Sequence, residues 1–131
     1  NSLIYILASI YARENNFDNA ILLNSSACII EATNANIFIV KNGNVYTPPL
    51  KDGCVSGIMR NWLFDCIDII EESILIDKVL EADEIFVSNT IDGLIPVNKI
   101  IKTSFSNFNI ANFLQKKLIN SSLGPLACLP K

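Results

Sequence analysis

Apolar residues recur at helical spacing through the first dozen positions. Leu3, Leu7, Ile10 and Tyr11 predict an amphipathic helix, which polar Arg13, Glu14, Asn15 and Asn16 end. Shorter apolar runs follow. Ala20 to Leu23, Cys28 to Ile30 and Ile37 to Val40 predict strands. The last is followed by Asn42-Gly43 and then Val45-Tyr46, a strong signal for a tight hairpin. Pro48 and Pro49 close that strand, because neither can donate to a sheet ladder. The period then lengthens: Ile58, Trp62, Cys66 and Ile70 share one helical face, with Arg60, Asp65 and Asp68 off it and Gly57 at the start. Further strands are predicted at Ile74 to Ile76, Ile85 to Val87 and Gly93 to Val97, with a polar turn or short helix around Glu81, Ala82 and Asp83. Ile110, Ala111, Leu114 and Leu118 predict a closing helix, and the tail after Asn120, with Gly124, Pro125 and Pro130, reads as irregular. These elements amount to one α/β domain over residues 1–131, a mixed sheet with flanking helices.

Composition narrows what such a domain can do. Half of the 131 residues are apolar and 18% are charged, so the chain can bury a core and disorder is not expected. A net charge of −3 and the lack of a Lys/Arg cluster argue against a nucleic-acid surface. The longest apolar run, Leu3 to Ala12, is too short to span a membrane. A basic leading segment and a cleavage site are both missing, so a soluble, cytoplasmic protein is expected. Cys28, Cys54, Cys66 and Cys128 form no CxxC and share no metal spacing; they read as buried, reduced thiols rather than as disulfides of a secreted chain. The sequence has no histidine, which removes Ser-His and Cys-His nucleophile pairs and leaves no metal site to expect. Catalysis here calls for other chemistry, for which a borrowed organic cofactor is the natural source.

Three places can carry such chemistry. Glu31 ends an apolar run, where a carboxylate either faces solvent or is buried with a partner. Ser56-Gly57-Ile58-Met59 opens a helix, either as an ordinary Ser56 N-cap or as an anion site whose glycine lets a ligand approach the backbone. Ser88-Asn89-Thr90 follows a strand, either as a polar turn or as hydroxyls and amides suited to phosphate or carboxylate.

Taken together, the segments resemble a known family. Glu31-Ala32-Thr33-Asn34-Ala35-Asn36-Ile37-Phe38 resembles the E-x-x-x-x-N-[LIV]-F signature of class IV aminotransferases. Tyr46-Thr47-Pro48-Pro49-Leu50, Val55-Ser56-Gly57-Ile58-Met59-Arg60, and Ala82 to Thr90 with Ile95-Pro96-Val97 resemble three further motifs of that family, in the same order. The resemblance implies the mixed-sheet pseudobarrel of the C-terminal cofactor domain of a D-amino-acid-aminotransferase-like enzyme, binding pyridoxal 5'-phosphate (PLP). Glu31 would pair with the pyridine nitrogen; Gly57 would let the cofactor approach, and backbone amides at Ile58 and Met59 with the Thr90 hydroxyl would hold the phosphate. Many members have threonine where Met59 stands, so one hydroxyl is lost but the amide is kept. Amides around Thr90 and Ile91 would face the substrate carboxylate; Asn36 would brace the turn. Arg60 would either add positive charge near the phosphate or lie on the helix surface.

The family's Schiff-base lysine belongs to a K-x-x-N pattern in which Asn1 matches the asparagine. The lysine is therefore expected three positions upstream, so no catalytic residue is expected in this chain, and the fragment alone is expected to be inactive. The family also implies a homodimer and a small amino substrate. Asn89, where many transaminases have glycine, and the Gly93 to Val97 ending favour 4-amino-4-deoxychorismate lyase over a branched-chain or D-amino-acid aminotransferase. A degenerate, non-catalytic module is the alternative of another class.

Overall fold

A computed structural model of the chain describes residues 12–14, 16 and 18–121. The predicted first helix, Asn1 and the tail with Gly124, Pro125 and Pro130 lie outside the described residues.

The centre of the fold is an antiparallel pair of strands, β3 (Asn36–Lys41) and β7 (Glu84–Asn89). Their register places Asn36 opposite Ser88, Ile37 opposite Val87, Phe38 opposite Phe86, and Ile39 opposite Ile85. Successive side chains point to opposite faces. Ile37, Ile39, Ile85 and Val87 therefore enter one cluster, with Ile29, Ile74 and Val79. Phe38, Val40 and Phe86 enter a second, with Leu63, Leu94, Ala111 and Leu114. The Phe38 and Phe86 rings stack with centroids 5.1 Å apart. Both faces are covered, which explains why these strands read as continuous apolar runs rather than alternating ones.

Around this pair the five-stranded sheet runs β5-β4-β3-β7-β8, with β4 at Asn44–Thr47, β5 at Ile69–Glu71 and β8 at Gly93–Pro96. The β4–β5 pairing is parallel and the others are antiparallel, so the sheet is mixed. The Asn42-Gly43 hairpin forms as predicted, with φ of 52° and 81° at its two central residues. A separate antiparallel sheet, β1 (Ile21–Leu23), β2 (Cys28–Ala32) and β6 (Ile74–Leu75), contributes Ile29 and Ile74 to the first cluster.

Two helices cover the opposite face: α1 (Ile58–Cys66) and, after the short α2 (Ile76–Leu80), the closing helix α3 (Asn109–Ile119). Ala111, Leu114 and Leu118 bury the predicted stripe of α3. Buried Glu84 fixes its start, accepting the Ile110 N–H at 3.1 Å and the Ala111 N–H at 2.8 Å. A carboxylate there satisfies two helix-end donors and faces the positive end of the dipole. At the other end of α3, Leu118 packs on Met59 beside Trp62.

Three predictions need correction. The helix expected to run to Ile70 ends at Cys66: Ile67 is extended, and Ile69–Glu71 pairs with β4. Its buried face is Met59, Arg60 and Leu63, whereas Ile58 is 61% exposed. Of the predicted stripe, Trp62 and Cys66 pack against the second cluster, whereas Ile58 and Ile70 are exposed and polar Arg60 is inside. Ile76 begins α2 rather than ending a strand. A short hairpin, β9 (Lys99–Ile100) with β10 (Thr103–Ser104), was not anticipated. Among the described residues, no helix is long and apolar enough to cross a membrane.

Candidate functional site

The ends of β2, β3 and β7 and the loop leading into α1 converge on a cavity of about 410 Å3. Glu31, Asn36, Gly57, Ile58, Met59 and Thr90 all line it, together with Asn34, Ala35, Val55, Ser56, Ser88 and Asn89. A second cavity, of about 560 Å3, lies against the other side of the central pair, where Ile37 and Val87 replace Asn36 and Ser88 in the wall.

Glu31 is buried, so the solvent-facing reading does not hold. Its Oε1 accepts the Val55 N–H at 2.6 Å. The carbonyl of the same residue accepts from Asn36 Nδ2 at 2.8 Å. Val55 is thus gripped at both its N–H and its C=O, and the loop before α1 is tied to β2 and β3. Gly57 completes the tie by close approach, since a Cβ there would lie 2.6 Å from Asn36 Oδ1. Its φ of −77° is open to any residue, so space rather than backbone freedom selects glycine.

Ser56 is not the N-cap of α1. Gly57 holds that position with no side-chain cap, and the Ser56 hydroxyl bonds to Asn61 Oδ1 instead. Ile58 and Met59, the first two residues of α1, line the cavity, and no side chain caps that helix start. A helix start in this state concentrates N–H donors and positive potential.

Thr90 lines the cavity from a turn that Asn89 shapes: Asn89 Oδ1 accepts the Ile91 N–H at 3.0 Å and the Asp92 N–H at 2.7 Å. The Ile91 amide is thus engaged within the turn, and its side chain is 72% exposed, outside the cavity wall. Arg60 also stands outside that wall. It is buried, with Nη2 donating to Glu71 Oε2 at 2.9 Å and to the Pro48 carbonyl at 3.2 Å, and its guanidinium lies over Phe64. Its burial overturns the surface reading. Nearby Cys54 is buried against the Pro48 and Pro49 carbonyls, and burial raises its thiol pKa.

The donor set fits PLP. The lining offers a buried carboxylate, suited to a protonated ring nitrogen, together with an uncapped helix start and a threonine, suited to an anion. Ser88 adds an independent sign. Ser88 belongs to the cavity lining, and its hydroxyl is buried with no hydrogen-bond partner among the described residues. An unpaired buried hydroxyl costs about 1–3 kcal/mol, so such groups ordinarily meet a ligand or water. Among the described residues, no group of three or more His, Cys, Asp or Glu is placed to hold a metal ion.

Ser56, Ser88 and Asn89, which the two polar segments singled out, also line the wall, whereas Asn34, Ala35 and Val55 complete it without having been chosen from sequence. Each sits inside a quoted motif, so adjacency to the chosen residues was the available signal.

Comparison with known proteins places the fold in a family. The amino-transferase class IV family model matches residues 1–100. A protein of Methanocaldococcus jannaschii named as a branched-chain-amino-acid aminotransferase is 32% identical over 121 residues, covering 88% of this chain and 42% of that protein. An aminodeoxychorismate lyase of Vibrio harveyi is 31% identical over 105 residues, 76% of this chain and 39% of the lyase. Among solved structures, the branched-chain aminotransferase of Thermoproteus uzoniensis with norvaline superposes with a TM-score of 0.85 at 32% identity, covering 88% of this chain and 40% of that one. An aminotransferase from Brucella abortus, bound to the co-factor PLP, shares the fold at a TM-score of 0.79 and 21% identity, over 89% of this chain and 45% of that one. The chain belongs to the class IV aminotransferase family. It spans about two fifths of the length of these relatives.

Proposed function

We propose that this chain is the cofactor-holding part of a PLP-dependent enzyme, and that the full-length protein is a 4-amino-4-deoxychorismate lyase releasing p-aminobenzoate and pyruvate. One observation carries the cofactor reading: Glu31, the uncapped start of α1 and Thr90 line a common cavity. When bound, PLP supplies an electron-withdrawing ring that stabilises negative charge at the substrate carbon. Glu31 keeps the ring nitrogen protonated, because a neighbouring carboxylate favours the charged form. The Ile58 and Met59 amides and the Thr90 hydroxyl hold the phosphate. Asn36 and Gly57 fix the loop from which those amides project.

The lyase reading is supported by Asn89, whose side chain closes the turn beside Thr90 and reaches the Asn34 carbonyl at 3.3 Å. Glycine, frequent at this place in transaminases, could make none of these three bonds. Branched-chain aminotransferase is the second reading, favoured by the relatives and the Thermoproteus structure that carry that name. A homodimer acting on a small amino substrate follows from either.

The full-length protein should turn yellow with PLP, and borohydride should fix the cofactor covalently. Given 4-amino-4-deoxychorismate, it should release pyruvate with p-aminobenzoate. Amino transfer from a branched-chain amino acid to 2-oxoglutarate, with no pyruvate released, would select the second reading. A protein that binds no PLP would remove both.

A further inference from the structure

We propose that Ser88 is a further cofactor-holding residue whose hydroxyl donates a hydrogen bond to the PLP phosphate. This rests on the PLP reading above and adds a contact that reading does not contain. Ser88 is 1% exposed, and its Oγ has no hydrogen-bond partner among the described residues. Strand hydroxyls in this fold can find partners: Thr47, also 1% exposed, donates to the Ile37 carbonyl at 2.7 Å. Ser88 is an exception, and it stands on the cavity wall.

Strand register decides which part of a ligand it meets. Ser88 pairs with Asn36, two residues from the stacked Phe38–Phe86 pair, and strand alternation keeps it on the same face of the sheet. That is the face covered by α1, because Phe38 and Phe86 share a cluster with Leu63. Ser88 therefore lies on the side of the helix start and two residues before Thr90. A donor lacking an acceptor matches a phosphate monoester, whose oxygens are acceptors near neutral pH.

The test compares the full-length wild type with Ser88→Ala, using pyridoxamine 5'-phosphate and pyridoxamine as ligands. The two share a ring and differ in the phosphate, and neither needs the lysine. The variant should bind pyridoxamine 5'-phosphate about tenfold more weakly, as expected for a hydrogen bond to a charged group. Its affinity for pyridoxamine should stay within about twofold, since the ring contacts are unchanged. The thermal midpoint without ligand should hold or rise, because an unpaired buried hydroxyl has been removed. A purely structural serine would instead lower that midpoint. Equal weakening of both ligands, or of neither, overturns the assignment. A wild type that binds neither ligand, or shows no preference for the phosphorylated one, defeats the underlying PLP reading as well.

Discussion

Asn36 and Gly57 occupy space that only one of them can fill: a Cβ on Gly57 would stand 2.6 Å from Asn36 Oδ1. Asn36 cannot retreat freely, since its Nδ2 holds the Val55 carbonyl at 2.8 Å. Gly57→Ala should therefore cost about 1–3 kcal/mol of stability, the range for an overpacked site. It should also weaken cofactor binding by displacing the start of α1. In an Asn36→Ala background the same change should cost less, with a coupling above about 0.5 kcal/mol in a double-mutant cycle. Additive costs would show that the two residues do not compete.

Glu31→Gln keeps an oxygen that can accept the Val55 N–H but removes the negative charge. The full-length variant should fold with a thermal midpoint near wild type and still bind PLP. Its turnover should fall by about 10²–10³, a loss comparable to removing one preorganised electrostatic group. Turnover within threefold of wild type would show that the carboxylate serves the fold and not the ring.

Arg60 should behave differently. Removing its side chain takes away two hydrogen bonds and the stack on Phe64. Glu71 can return to water because its side chain is 45% exposed. Arg60→Ala should thus cost about 2–3 kcal/mol in chemical denaturation, less than breaking a fully buried pair. The variant should keep its preference for pyridoxamine 5'-phosphate over pyridoxamine. Loss of that preference at unchanged stability would place the guanidinium at the anion site after all.

Asp83 gives the hairpin a pH dependence. The Asn42 N–H, first, and Lys41 beside it hold the Asp83 carboxyl below its ordinary value of 3.8. A lowered folded pKa stabilises the protein above the unfolded value and ceases to do so as pH falls through the folded one. The stability gap between wild type and Asp83→Asn should therefore be constant near neutrality and narrow only below pH 3.8. By NMR titration, Lys41→Ala should raise the Asp83 midpoint while leaving it below 3.8, because the amide bond remains. A return to the ordinary value would make Lys41 the principal cause.

Much of this architecture was legible in the order of residues. Apolar runs located β2, β3 and β7, Asn42-Gly43 located the hairpin, and the spacing of Ala111, Leu114 and Leu118 located both α3 and its buried stripe. Failures occurred where burial and polarity part company. Arg60 and Glu84 are buried because each has specific partners, and partners distant in sequence leave no local periodicity. Ile58 is exposed beside the cavity, so its apolar character did not mark a buried position. Motif order placed Glu31, Gly57 and Thr90 on one cavity, yet the double grip on Val55 was invisible without geometry. The unpartnered state of Ser88 was equally so, because an absent bond has no sequence signature.

The attachment of α3 has a consequence for how damage to this domain should show itself. Glu84 anchors one end of the helix and Leu118 at the other supports Met59 from behind. Lesions in the last helix, remote from any reacting atom, should surface first as leakage of the coenzyme. Such variants would look kinetically sound when flooded with vitamin B6 phosphate and fail when it is scarce.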